Sequence, residues 1–169
     1  IRNNSYAGFY IETGPANVRI LNNQIQENTS RGVEVRGSQV TIEGNLIRNS
    51  DRGVIVTCCT AGDVTIRNND IFGHNVGVDL STVAVGVHRV EGNRIHDNAT
   101  HGIFSSVGGT ATGQIIGNEV FGHSGANDIG IAVGGVNTLV RDNVVHHNFK
   151  GVEVTSSTST VERNRIYFN

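Results

Sequence analysis

Methionine and tryptophan are absent from the 169 residues, proline occurs once, and a single lysine stands against twelve arginines. The scarcity of proline argues against a disordered linker. The only two cysteines are the neighbours Cys58 and Cys59. Adjacent cysteines close a strained ring, so two free thiols at a strand end are expected rather than a bridge, and two alone make neither a disulfide framework nor a zinc site. No apolar run approaches ~18 residues, so no membrane span is expected. The net charge of −2 is spread without a charged block, which argues against a nucleic-acid surface or a polybasic membrane patch. No signal-peptide pattern is visible, and a chain that opens on Ile1 without Met reads as an excised piece of something longer.

Glycine (22) and asparagine (20) are abundant, although hydrophobic residues make up only 37%. Both tolerate the left-handed backbone region, so many turns are expected. The asparagines are periodic. An Asn-x-[Ile/Val] motif recurs at Asn23, Asn45, Asn69, Asn93, Asn118, Asn143 and Asn164, with gaps of 22, 24, 24, 25, 25 and 21 residues. Three residues before each Asn stands Ile20, Ile42, Ile66, Val90, Ile115, Val140 or Val161, and two after it Ile25, Ile47, Ile71, Ile95, Val120, Val145 or Ile166. A glycine then opens a third apolar pair, as in GVEV at 32, GVIV at 53 and GVDL at 77. A fixed period in this range signals a solenoid. Within each repeat the apolar residues alternate in runs of three to five, the period of a strand and too short for a helix. Three short strands per ~24-residue turn, all facing one core, make an all-β parallel β-helix of about seven coils, with Asn stacked as a hydrogen-bonded ladder at one bend and Gly supplying another. Residues 1–169 are read as one domain, a fragment of a longer solenoid or an open-ended stacking unit.

The pattern [VI]-x-[IV]-x-[GN]-N-x-[IV] followed by G-[VI]-x-[VL] resembles the right-handed parallel β-helix repeats of pectate-lyase-like proteins. More narrowly it resembles the Asn-rich repeats of carbohydrate-binding and sugar-hydrolase modules, mannuronan epimerases and NosD-type proteins. The resemblance covers nearly the whole chain and implies a fold more firmly than a chemistry. It implies an extracellular or cell-surface setting and a polysaccharide as a candidate partner, while the uncapped first and last coils imply end-to-end self-association or adjoining coils of a parent chain. No cofactor is implied.

Outward columns carry the candidate chemistry. Charges alternate on successive coils at Glu43, Arg67 and Glu91, and at Asp70, Arg94 and Glu119. That pattern fits register-fixing surface ion pairs, and it also fits a groove in which Arg67, Arg89 and Arg94 meet uronate carboxylates. Another column holds Phe72, His96, Phe121, His146 and Tyr167, an aromatic and imidazole strip suited to stacking on sugars, or else a two-coil duplication packed under a loop. A third column interleaves His74 and His123 among Asn28, Asn98 and Asn148. His there is a hydrogen-bonding stand-in for Asn, and two coils of separation is too far for a shared metal, so no metal site is expected. The long loops 57–63, 81–88 and 105–113, with an insertion at 123–128, should form a wall beside the first strand. A lyase or epimerase site there would use His88 or His101 as base and Arg67 or Arg89 to neutralise the sugar carboxylate. The epimerases' Asp-Pro-His-Asp segment is missing, since the only proline is Pro15, and neither paired aspartates on adjacent coils nor a calcium-type Asp cluster is present. Two functions follow: a non-catalytic β-helix module, structural or polysaccharide-associated, from a larger extracellular protein, or the catalytic body of a lyase or C5-epimerase acting on uronate glycans. An ice-binding face would need a flat Thr ladder, and Arg19 and Arg89 flank Thr41 and Thr65.

Overall fold

The computed structural model describes residues 1–14, 17–57, 62–81, 84–156 and 158–169. Among them every regular element is a strand, and the strands form three seven-stranded sheets in which each strand pairs in parallel with its equivalent one repeat away. The entry sheet runs from Arg19–Leu21 to Thr160–Glu162, the middle sheet from Gln24–Gln26 to Arg165–Tyr167, and the exit sheet from Ala7–Ile11 to Lys150–Val154. Cys58 and Cys59 lie outside the described residues.

Register follows the apolar columns. Ile20, Ile42, Ile66, Val90, Ile115, Val140 and Val161 are successive partners in the entry sheet. Ile25, Ile47, Ile71, Ile95, Val120, Val145 and Ile166 are partners in the middle sheet. Both columns are buried except in the last layer, where Val161 (42%) and Ile166 (47%) are exposed. A one-residue slip would turn every one of these side chains outward, so the core itself fixes the pairing.

The bends account for the asparagines. In the ladder, Nδ2 of Asn45, Asn69, Asn93 and Asn118 each donates to Oδ1 of the Asn in the next layer at 3.0 Å. The same Oδ1 also accepts the backbone N–H of the donating Asn at 2.9 Å. The residue before each ladder Asn is left-handed, from Asn22 (φ 55°) and Gly44 (67°) to Asp142 (57°) and Arg163 (56°), which explains why that position prefers Gly or Asn. The glycine that opens each exit strand has a different role from the expected bend. A Cβ on Gly77 would sit 2.6 Å from Gly102 O and 2.8 Å from Ile95 Cγ2, so glycine is needed there for close approach between layers and core.

Candidate functional site

The three outer faces differ in how far they satisfy themselves. On the entry face Arg67 pairs with Glu43 at 2.8 Å and Arg89 with Asp63 at 3.5 Å. The first is a register-fixing ion pair of the kind expected of alternating charge, and the second commits Arg89 in the same way. His88 stands in the inward column of that sheet, opposite Val64 and Gly113, and is fully buried with Nε2 3.0 Å from Val85 O. Enclosed in this way it cannot reach a substrate. His101 lies on the exit sheet. The four residues expected to form one acid–base site are therefore split between the interior and two faces.

The described parts of the three long loops do lie side by side. Val87 N–H donates to Asp63 Oδ1 (2.9 Å), Thr110 N–H to Ala84 O (3.0 Å) and Thr112 N–H to Gly86 O (2.9 Å). Residues 58–61 and 82–83 are outside the described set.

The middle face brings its expected residues together. Phe72, His96, Phe121, His146 and Tyr167 form one continuous stack with centroid spacings of 4.8, 5.0, 5.0 and 5.1 Å and interplanar angles of at most 17°. Arg94 lies over Phe121 at 4.8 Å, and His96 contacts Asp70 (3.1 Å) and Asp97 (2.7 Å). The ring faces are turned to one another, so in the interior of the stack only ring edges remain for a ligand.

Among the described residues the exit face carries a groove away from the edge layers. Register places Arg52, Val76 and His101 in one outward column and Ile55, Asp79 and Phe104 in another. Arg52, Val76, Asp79, His101 and Phe104, with Asn75, Ser81 and Thr100, line a depression of ≈ 320 Å³. Two other depressions, beside Phe149 and Phe168 and beside Ile1 and Gln24, occupy the edges of the last and first layers, where the stacking stops. In the groove Asp79 is only 3% exposed, with Arg52 Nη1 3.2 Å from one oxygen and the Ser81 hydroxyl on the other. Burial pushes its carboxyl above the usual range, against the hydrogen bond from Ser81 and the charge of Arg52. His101 Nδ1 lies 3.1 Å from Thr100 Oγ1, and the ring meets Phe104 edge-on at 5.6 Å. Burial pulls His101 below the usual imidazole range despite the nearby Asp128 and Asp79 carboxylates, so it is neutral near pH 7 and offers one acceptor and one donor. Arg52 and Phe104 had not been singled out from the sequence. The signal was the repeat itself, because GIFS laid on GVDL puts Phe104 in the Asp79 column.

His74 and His123 sit in the second ladder. Ser50 N–H donates to His74 Nδ1 (3.1 Å) and His74 Nε2 meets Ile47 O (3.1 Å), whereas His123 Nδ1 meets Asn148 Oδ1 (2.7 Å) and its Nε2 meets Asn98 Nδ2 (3.1 Å). Each is satisfied as one neutral tautomer, and protonation would set two donors against each other. Burial lowers the pKa of His74, His88 and His123 below the ordinary 6.5. The unfolded chain therefore takes up these protons, so the stability tied to them is complete above about pH 6.5 and is lost as the pH falls below it. Asp79, raised by burial, works in the opposite sense but only near the carboxylate range. Thermal unfolding is expected to show a Tm that is level above pH 7 and drops by several degrees toward pH 5, at roughly 2–4 °C per kcal/mol for a chain of this size. His123→Asn, which restores the ladder's usual residue, should flatten that slope. A Tm independent of pH over this interval would contradict the buried neutral assignment.

The family described as right handed beta helix region matches residues 1–128 and 53–169, which together span the chain, and the chain belongs to it. No curated protein matches.

Proposed function

We propose that this right-handed β-helix is a non-catalytic, polysaccharide-associated module of a larger extracellular protein, and that the exit-face groove is where the glycan lies. One observation carries the reading. Phe104, Arg52, Asp79 and His101, from three adjacent strands, converge on a groove, whereas the entry face pairs its charges and the middle face stacks its rings on one another. An aromatic side chain among a few fixed donors and acceptors is a common arrangement for sugar recognition. The apolar residues left open at the edge layers, Ile166 (47%) and Phe168 (77%), suit cover by adjoining coils or by a second copy of the chain.

The catalytic alternative has one supporting observation, the His101 imidazole in the same groove lining as Arg52, which burial holds below the usual imidazole range. A lyase or epimerase also needs a cation to neutralise the uronate carboxylate, and Asp79 already engages Arg52. Affinity electrophoresis in polysaccharide gels should show retarded migration that Phe104→Ala abolishes in protein that circular dichroism shows to be folded. No unsaturated uronate absorbance should develop when the same polysaccharides are incubated with the protein. Retardation unaffected by Phe104→Ala would remove the groove from the reading, and growing absorbance would favour the enzyme.

A further inference from the structure

We infer that the exit-face groove selects uncharged pyranosides and discriminates against uronates. The inference rests on the groove being the glycan site proposed above, and it names the class of sugar from the charges that face it.

Those charges are compensated in place. Arg52 Nη1 lies 3.2 Å from Asp79 Oδ2. One strand outward on the same face, Glu34 is held by Arg31 and Arg36, each at 2.8 Å, and by the Tyr6 hydroxyl at 2.6 Å. On the other side Lys150 holds Glu153 at 2.6 Å. Asp128, near His101, accepts the Gly125 N–H at 2.8 Å and is buried without an ion-paired cation among the described residues. Among the described residues the groove centre therefore offers no uncommitted positive charge, and the side toward Asp128 leans negative.

A uronate carboxylate entering this groove would have to draw Arg52 away from Asp79. That would leave Asp79, 3% exposed, as a buried carboxylate without its cation, which costs more than the new pair returns. A neutral sugar meets no such conflict. Its hydroxyls donate to the carboxylate oxygens of Asp79 and accept from the remaining N–H groups of Arg52. The neutral imidazole of His101 serves either role according to tautomer, and Asn75 and Thr100 supply further polar contacts at the rim. Phe104 is followed in register by Ala132, whose small side chain crowds the ring little, so Phe104 can take the apolar C–H face of a pyranose.

The test is calorimetric binding of neutral hexasaccharides (β-glucan, mannan, galactan) and uronate hexasaccharides (galacturonan, mannuronan, guluronan) to the whole chain and to Phe104→Ala and Asp79→Asn. The wild-type protein should bind at least one neutral probe about tenfold or more tighter than any uronate probe. Phe104→Ala should lose that binding while the chain remains folded by circular dichroism. Asp79→Asn releases Arg52 and should gain about tenfold or more toward uronates, narrowing the preference. Uronates bound more tightly than neutral probes, in a manner abolished by Phe104→Ala, would overturn the selectivity and leave the groove as the glycan site. A neutral preference that persists in folded Asp79→Asn protein would also overturn it. If Asp79→Asn does not fold, the wild-type preference alone decides. Binding of no probe, or binding indifferent to Phe104→Ala, would remove both the selectivity and the site.

Discussion

Ile66→Asp is expected to abolish cooperative folding. Ile66 is fully buried between Ile42 and Val90 in the entry-sheet column. Loss of the side chain alone is worth about 2–5 kcal/mol at a site that cannot collapse, and an unpaired buried carboxylate adds several more. The sum rivals the ~5–15 kcal/mol that holds a whole domain together. In a solenoid each coil is stabilised by its neighbours, so the defect spreads to the layers of Ile42 and Val90. Circular dichroism should show a loss of the β signal or a Tm lowered by tens of degrees. Glu43→Ala, which removes only the exposed pair with Arg67, should cost about 0–1 kcal/mol. A folded Ile66→Asp protein with near-native Tm would mean that this column does not face a sealed core.

Asn93→Ala should be the next most damaging change. Asn93 is 2% exposed. Its Nδ2 donates to Ile66 O (2.9 Å) and Asn118 Oδ1 (3.0 Å), and its Oδ1 accepts from Asn69 N–H (2.9 Å) and Asn69 Nδ2 (3.0 Å). Alanine leaves several of these groups buried without partners, at about 1–3 kcal/mol each. A total of roughly 3–6 kcal/mol is expected in chemical denaturation. The half-buried Asn164, at the end of the ladder, should cost clearly less on the same substitution. Equal losses at the two positions would contradict a ladder whose interior rungs are satisfied on both sides. The second ladder shows what an imperfect rung looks like. Ser50 is too short to take its place in the column, and Asn28 Nδ2 and Ser50 Oγ are buried without hydrogen-bond partners among the described residues.

The fold was legible because it is written in columns. Ile20 to Val161 and Ile25 to Ile166 recur at one spacing, and a parallel stack turns spacing directly into contact. The site was less legible, for two physical reasons. A column shows which residues align but not whether their faces are free. Phe72, His96, Phe121, His146 and Tyr167 do align, and in aligning they cover one another. Alignment also says nothing of the neighbouring column on the same face. Asp79 has no charged neighbour in its own column, where Glu34 is two layers and Glu153 three layers away, yet its partner Arg52 comes from the adjacent outward column one layer back. His88, expected as a candidate base, stands in an inward column of the entry sheet, and burial is what removes it from contact with a substrate. The third-strand glycines were assigned to a bend on conformational grounds, whereas contacts across layers, which a single repeat cannot display, dictate them.

The most direct measurement is amide shift mapping of the labelled chain titrated with a neutral hexasaccharide that it binds. The expected result is a set of perturbations confined to the exit strands Arg52–Val56, Val76–Ser81 and His101–Ser106 and to the adjoining Asn75 and Thr100, with the ring stack from Phe72 to Tyr167 unmoved. Perturbations centred on the middle-sheet stack or on the edge layers, with the exit strands silent, would contradict the assignment of the site.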